Sequence, residues 1–218
     1  MPSLVDLVLH SRANLTTVAL QMRFHVPPQR VAYPLESEVL AMSEALRKSS
    51  CAVVGASAAL RNCSHARDIC GHDVVLRVNH HRPAFCNRTD VQVLNAFACM
   101  SSACPHPRLF RIRTEWNPEM QSSFSRKRTW LSSGFVTDYT TRALTKVHTR
   151  RCCGTTGGSA VALALHACKD VTLYGLGGVG MGYFESPRRA APGGVHNLQG
   201  ELEWYRELER AGAVVRRC

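Results

Sequence analysis

Two residues near the end of the chain have types and spacing that suit acid–base chemistry. His196 follows a glycine-rich loop and stands just before the last predicted helix, and Glu201 lies one turn into that helix. A partly exposed imidazole titrates near neutral pH, as a general base requires, and the carboxylate could orient it or a neighbouring backbone. The alternative is an exposed loop histidine beside a solvated helical glutamate, and spacing alone favours that alternative.

Two further groups are suited to binding an anion or a polar ligand. Thr155, Thr156 and Gly157 combine hydroxyls with the N–H groups of a helix start, which bind phosphate or carboxylate well. An ordinary threonine N-cap produces the same pattern. Asn79 directly follows an apolar run, where its amide can contact a ligand or cap the turn that follows.

The cysteines and the glycosylation sequons favour an oxidising, secretory compartment. Cys51 and Cys168 each border a predicted strand, and they either form a disulfide or remain two free buried thiols. No CxxC pair occurs among the ten cysteines, so a zinc ribbon is disfavoured. The three sequons begin at Asn14, Asn62 and Asn87.

The overall composition limits the possible partners. The 218 residues, 45% of them hydrophobic, suit one α/β domain with a substantial core. A formal net charge of +11 favours an anionic partner, but scattered arginines and an aromatic content of 7% argue against nucleic acid. No stretch reaches the roughly 20 apolar residues of a membrane span, and residues 1–20 make a poor signal peptide. Either the protein is cytosolic, or this chain is a catalytic part whose membrane anchor lies elsewhere.

The stretch that opens CAVVGASAALRNC organises the predicted fold. It predicts a buried strand over Cys51–Val54, a turn at Gly55 and a helix start, with small residues that include Ser57 keeping bulk away from the end of the strand. A second strand, Val74–Val78, leads directly into Asn79. Because ligands bind at the carboxyl ends of strands in open α/β sheets, this edge is the expected binding edge.

A second dense stretch, Cys153–Gly178, predicts an α/β crossover. A Gly/Thr loop opens a helix over Ser159–Cys168, and a strand over Val171–Tyr174 ends in Gly175 and Gly177. The tail of the chain then predicts a helix from about residue 197 to 210, a glycine after its end at position 212, and a last strand at 214–215.

Upstream segments complete the predicted domain. Residues 36–48 have helical periodicity, Leu109–Arg113 alternates as a strand with one wet face, and residues 117–128 are polar, as in a loop. Neither GxGxxG nor GxxxxGK[ST] occurs, which disfavours the common dinucleotide and P-loop sites. We expect an irregular lead-in over 1–35 and one α/β domain over 36–218, with a mostly parallel sheet flanked by helices.

Four segments, taken in order, resemble the sialylmotifs of the animal-type sialyltransferases. The run from CAVVGASAALRNC through HDVVLRVN to Asp90-Val91 resembles the large motif, and CGTTGGSAVALALHACKDVTLYGLGG resembles the small motif. The segment Gly182–Glu185 resembles the third motif, and His196 with Glu201 resembles the very small motif. The resemblance covers most of residues 50–212; the first two motifs are specific, and the last two are short.

The resemblance implies a single Rossmann-like domain of the GT-A-variant glycosyltransferase kind. It implies transfer of sialic acid from CMP-sialic acid to a glycan hydroxyl, with inversion and without a metal or other cofactor. The implied partners are a sugar-nucleotide donor and a glycan acceptor on a glycoprotein or glycolipid. The implied location is the Golgi lumen, and the protein itself would be a glycoprotein.

The resemblance also implies roles for individual residues. His196 would be the general base that deprotonates the acceptor hydroxyl, and Glu201 would support the loop that carries it. Cys51 and Cys168 would form the family's disulfide between the large and small motifs. The donor would be held by a larger set, namely Asn79, Ser57, Thr155, Thr156, Gly157, Gly175, Gly177 and Tyr183.

The chain departs from the family's pattern at several donor-binding positions. The family usually has asparagine in place of Ala56, another polar residue near Ala59, and a histidine in place of Gly182, just before Tyr183. The Lys-Thr pair expected after Asp90-Val91 is not evident. The alternative function is therefore that of a catalytically weak or inactive member that binds nucleotide or glycan without transfer.

Overall fold

The computed structural model describes residues 49–62, 64–79, 86–95, 110–113, 129–131, 155–176 and 198–218. The lead-in predicted over 1–35, the helix over 36–48 and the loop over 117–128 lie outside these residues. The described residues form one parallel sheet with helices packed against it.

Seven strands make up this sheet, and every neighbouring pair in it is parallel. The central strands β1, β2 and β3 are mostly apolar, rich in valine and almost entirely buried, as a parallel sheet covered on both faces requires. The expected mostly parallel α/β sheet is thus confirmed. In chain order the strands are β1 (Ser50–Val54), β2 (Val74–Val78), β3 (Val91–Leu94), β4 (Phe110–Arg113), β5 (Thr129–Leu131), β6 (Asp170–Tyr174) and β7 (Val215–Arg217).

The strand order reverses direction at β1. From β1 the chain adds β2 to β5 successively on one side and then places β6 and β7 on the other, giving the order β5-β4-β3-β2-β1-β6-β7. The carboxyl ends of the strands that flank such a switch point border the crevice where ligands bind in open α/β sheets. Here those ends are Val54 of β1 and Tyr174 of β6, which are register partners.

Two long helices begin at the carboxyl edge of the sheet and run back toward its amino edge. Helix α2 (Thr156–Ala167) precedes β6, and α3 (Leu198–Arg210) precedes β7, so each forms the return segment of a crossover. Helix α2 begins three residues before the predicted Ser159 because Thr155 caps it at the N-terminus. The end of α3 is as predicted: Gly212 has a φ of +69°, and its N–H donates to the carbonyl of Glu209 at 3.0 Å.

The helix predicted to start directly after Gly55 is two short helices in the structure. A 3-10 helix spans Ala58–Asn62, and the short helix α1 follows over Ala66–Gly71. Ser57 accounts for the tight turn. Its carbonyl accepts from the N–H of Leu60 at 3.2 Å, and its hydroxyl accepts from the N–H of Ala59 at 3.2 Å. Strand β5 has no predicted counterpart, since three residues are too few for a period-2 pattern to be recognised.

The two faces of the sheet bury different elements. On the helical face, α2 and α3 contribute Ala160, Val161 and Trp204, which pack with alternate strand residues such as Val53 and Leu173. The other face, called here the reverse face, is covered by the 3-10 helix and α1. Its buried residues are Ala52, Val54, Leu60, Ile69, Val75, Cys86 and Tyr174.

Candidate functional site

The turns that follow β1 and β6 are locked together at the switch point. The N–H of Gly55 donates to the carbonyl of Tyr174 at 2.8 Å, and the N–H of Ser57 donates to the carbonyl of Gly175 at 3.1 Å. A β-carbon on Gly55 would lie 2.3 Å from the Gly175 oxygen, so only glycine permits this approach. Gly175 itself has a φ of +59°, a conformation that favours glycine.

Thr155 organises the start of α2. Its side-chain oxygen accepts from the N–H of Gly158 at 3.1 Å, and its carbonyl accepts from the N–H of Ser159 at 3.0 Å. The N–H groups of Thr156 and Gly157 belong to the same first turn, and no residue in the described ranges accepts a hydrogen bond from them. The predicted N-cap and the predicted anion-binding geometry therefore coexist at this helix start.

Glu201 of α3 reaches across to that helix start. Its Oε1 accepts from the backbone N–H of Thr155 at 3.2 Å and from the Thr155 hydroxyl at 2.9 Å. The residue is only 4% exposed, so the interpretation as a solvated helical glutamate is wrong. A buried carboxylate is tolerated when several donors surround it, and here it also lies at the positive end of the α2 dipole.

Tyr205, one turn further along α3, completes this cluster. Its side chain is 3% exposed and its hydroxyl hydrogen-bonds to the Glu201 carboxylate. Burial, together with the charge of Glu201 and the hydrogen bond to it, raises the pKa of Tyr205 well above its ordinary value. The tyrosine therefore stays neutral and acts as a hydrogen-bond donor to the carboxylate. We call Thr155, Glu201 and Tyr205 the clamp.

The clamp ties the starts of α2 and α3 to the end of β6. A β-carbon on Gly157 would lie 3.1 Å from Leu176, 3.1 Å from the Thr155 hydroxyl and 3.7 Å from the Tyr205 hydroxyl. The same Leu176 side chain also approaches the β-carbon position of Gly55. Four chain segments that are far apart in sequence therefore meet at the carboxyl edge, beside the switch point.

Asn79 lies at the same edge, at the end of β2, with a φ of +57°. Its side-chain oxygen accepts from the N–H of Asn95 at 3.0 Å, and its carbonyl accepts from the side chain of Gln92 at 3.0 Å. These contacts hold together the ends of β2 and β3, which is the capping role that the sequence left open. A contact between Asn79 and CMP stays a prediction.

The structure places most of the predicted site residues at this edge. The residues found there are Ser57, Asn79, Gly175, the Thr155–Gly157 turn and Glu201. Their hydrogen bonds to one another and to neighbouring residues say nothing about donor binding, so their predicted donor contacts stay predictions. His196, Gly177 and Tyr183 lie outside the described residues; in the sequence, His196 precedes the first residue of α3 by two positions.

Two predictions about cysteines and metals can be compared with the described residues. Cys51 and Cys168 form the predicted disulfide, which joins β1 to the end of α2. A second disulfide joins Cys70 and Cys86. Within the described ranges, no group of three or more His, Cys, Asp or Glu side chains could hold a metal ion.

Sequence reasoning missed Tyr205 as a member of the site. In the sequence, Tyr205 shares one face of the last predicted helix with Leu198, Leu202 and Leu208, and that pattern predicts only a packing role. The available signal was its spacing, because a tyrosine four residues after a glutamate lies on the same helical face and can reach the carboxylate.

Comparison with known proteins gives one family and one fold. The family model described as glycosyltransferase family 29 (sialyltransferase) matches residues 20–125 and 85–213. No curated protein matches the sequence. A crystal structure of a mammalian sialyltransferase is similar, with a TM-score of 0.61 and 16% identity over 92% of this chain and 83% of that chain. Another crystal structure, of a mammalian sialyltransferase in complex with Gal-beta-1-3GalNAc-ortho-nitrophenol, has a TM-score of 0.60 and 15% identity, and the match covers 94% of this chain and 85% of that chain. At these identities the two structures establish a shared fold.

Proposed function

This chain belongs to glycosyltransferase family 29, the sialyltransferases, and from that premise we propose that it transfers sialic acid from CMP-sialic acid to a glycan hydroxyl. The proposed reaction inverts the anomeric centre and uses no metal ion, and His196 is its general base. The observation that carries the proposal is the clamp, which brings the helix start of the small motif against the helix start that follows His196.

The first turn of α2 supports donor binding. The N–H groups of Thr156 and Gly157 lie beside the switch point, where the positive end of a helix dipole favours a phosphate or a carboxylate. CMP-sialic acid carries both groups. The net charge of +11 also favours the approach of such an anion. We assign the phosphate or the donor carboxylate to this turn.

The clamp supports the role of His196 indirectly. Glu201 accepts two hydrogen bonds from Thr155, and it lies in the first turn of the helix that begins two residues after His196. Fixing the start of α3 against α2 limits the positions available to the preceding loop. We therefore assign Glu201 the task of positioning the His196 loop relative to the donor.

The proposed chemistry needs one proton transfer and one displacement. His196 takes the proton of the acceptor hydroxyl while the acceptor oxygen attacks the anomeric carbon of sialic acid. The bond from that carbon to the CMP phosphate oxygen breaks, and CMP leaves with the electron pair. Positioning of the acceptor and stabilisation of the departing phosphate supply the remainder of the catalysis.

The location and partners follow from family membership. Members of the family are Golgi enzymes, and we propose that this protein works in the Golgi lumen on glycoprotein or glycolipid acceptors. No helix formed by the described residues is long and apolar enough to cross a membrane.

A second function is favoured by specific residues of the donor site. Ala56 and Ala59 stand after β1 where the family has polar side chains, and Gly182 stands where it has histidine. A chain that lacks these donor contacts could bind nucleotide or glycan without transfer. The alternative is therefore a non-catalytic member of the same family.

One assay separates the two functions. The purified chain is incubated with CMP-sialic acid and a set of acceptors that includes Gal-beta-1-3GalNAc, and both CMP release and sialylated product are followed. His196→Ala is compared with the control His65→Ala, because His65 pairs with Asp68 at the start of α1 and contacts Tyr174 on the reverse face, whereas the helices of the clamp pack on the other face of the sheet.

The proposal predicts product with wild type and with the control, and none with His196→Ala, while CMP binding survives in all three. Binding of CMP by all three proteins, with product from none of them, supports the non-catalytic alternative. If the wild-type chain forms no product and binds no CMP, the use of CMP-sialic acid as a donor is rejected.

A further inference from the structure

The sequon Asn87-Arg88-Thr89 lies in a described segment between β2 and β3. Asn87 is exposed, whereas Thr89 is 9% exposed and Cys86 is 8% exposed. An asparagine whose side chain reaches solvent, flanked by residues that anchor the backbone, can carry a large hydrophilic group without disturbing the core.

The contacts of this segment fix its position on the molecule. The Arg88 side chain donates to the carbonyl of His72 at 2.8 Å and also to the carbonyl of Asp73, both just before β2 begins. The side chain of Asp90 accepts from the N–H of Val75, near the start of β2, at 2.9 Å. The segment therefore runs along the reverse face to the amino edge of the sheet, whereas the candidate site lies at the carboxyl edge.

The segment is also anchored independently of the sequon. The disulfide between Cys70 and Cys86 joins it to α1. The buried guanidinium of Arg77, 2% exposed, donates to the carbonyl of Cys86 at 2.6 Å. Desolvation lowers the pKa of Arg77 to about 10, so the side chain remains a cationic donor at neutral pH. Asn87 is thus an exposed residue between two fixed points.

A glycan on Asn87 would start near the amino edge of the sheet, whereas the candidate site lies at the carboxyl edge. The sequons that begin at Asn14 and Asn62 include residues outside the described ranges.

We propose that Asn87 is a site of N-linked glycosylation in the secretory pathway. The disulfides Cys51–Cys168 and Cys70–Cys86 are typical of proteins that fold in an oxidising compartment, which is also where N-glycans are added. The carboxamide nitrogen of Asn87 attacks C1 of the reducing-end N-acetylglucosamine of a lipid-pyrophosphate-linked oligosaccharide. A nitrogen–carbon bond forms, the bond from C1 to the pyrophosphate oxygen breaks, and the lipid pyrophosphate leaves with the electron pair. The nitrogen's proton passes to a base of the oligosaccharide-transferring enzyme.

The folded structure also sets the order of events. Because Thr89 is buried and Arg88 is hydrogen-bonded to several carbonyls, the docked sequon is held against α1 and β2 rather than presented as an extended segment. The glycan is therefore added before the segment docks, during or soon after synthesis. This inference concerns a modification and does not depend on whether the chain transfers sialic acid.

The test uses the full chain, expressed in mammalian cells behind a cleavable secretion signal and recovered from the secretory pathway. Asn87→Gln removes the acceptor asparagine, Thr89→Ser keeps the sequon intact, and Asn62→Gln is the matched control. Each protein is treated with peptide-N-glycosidase in oxygen-18 water, and its electrophoretic mobility and peptide masses are measured.

We expect Asn87→Gln to lose one glycan-sized mobility step that Thr89→Ser retains, and the wild-type peptide to contain oxygen-18 aspartate at position 87. An unlabelled Asn87 in wild type, with mobility unchanged by Asn87→Gln, overturns the proposal. If Asn87→Gln is not secreted, the isotope label in the wild-type peptide decides the question alone.

Discussion

The clamp makes a quantitative prediction about Glu201. Replacing it by glutamine keeps the size and one carbonyl acceptor but removes the charge. In the structure this 4% exposed carboxylate accepts from the N–H of Thr155, from the Thr155 hydroxyl and from the hydroxyl of Tyr205. The three donors belong to Thr155, which caps α2, and to Tyr205 of α3, so both helices hold them beside position 201.

The magnitude follows from the three hydrogen bonds. A hydrogen bond to a charged group contributes about 1.5–3 kcal/mol to stability, against about 0.5–1.5 kcal/mol for a neutral one. Three bonds that each lose about 1 kcal/mol give a loss of about 3 kcal/mol in the free energy of unfolding. For a chain of this length that corresponds to a fall in Tm of roughly 6–12 °C.

The assay is thermal unfolding of wild type, Glu201→Gln, Tyr205→Phe and the double variant. The control is Glu207→Gln, an exposed position on the same helix, where the change should stay within about 0.5 kcal/mol. Residues that share a hydrogen bond should show a coupling energy of at least about 0.5 kcal/mol in the double-mutant cycle. A Glu201→Gln variant as stable as the control, together with additive single effects, would refute the account of the clamp.

Three further predictions concern other parts of the same framework. Gly55→Ala should destabilise the protein by about 1–3 kcal/mol and weaken CMP binding, because its β-carbon would lie 2.3 Å from a backbone oxygen; Gly71→Ala, with nothing within 4 Å, is the control in calorimetry and CMP titration. The pKa of Tyr205 is raised in the folded state, so the unfolded chain loses this proton first as pH rises above about 10. Tm should therefore fall between pH 9 and 11 in wild type and fall less in Tyr205→Phe; equal slopes would contradict the buried hydrogen bond. Replacing both Cys51 and Cys168 by alanine should lower the free energy of unfolding by up to about 5 kcal/mol, since the disulfide closes a loop with a sequence separation of 117; a loss below about 1 kcal/mol in denaturant titration would mean that the bond constrains little.

The sequence predicted the elements whose signals are local. Strands β1 and β2 are rich in valine and mostly apolar, as is typical of buried parallel strands, and β1, β2 and β6 are each followed by a residue suited to a turn. Helix α3 has polar and apolar residues on opposite faces and a glycine after its end, and its boundaries agree with the prediction within a residue.

Features that depend on tertiary contacts were not predictable in this way. The burial of Glu201 depends on where Thr155 is brought by the fold, 46 residues away in sequence. Arg77 stands alone among apolar residues in β2, and nothing local indicates that carbonyls of the 86–88 segment receive its guanidinium. The departures at Ala56 and Ala59 are visible in the sequence, but their effect depends on how the donor is held.

The most direct test of the central claim is the stoichiometry of a single time course with wild-type protein, CMP-sialic acid and a glycan acceptor. The account predicts that each CMP released is matched by one sialic acid linked to the acceptor, as measured by mass spectrometry of both products. CMP released without sialylated acceptor, or no consumption of the donor by a folded protein, would contradict the claim that this chain is a sialyltransferase.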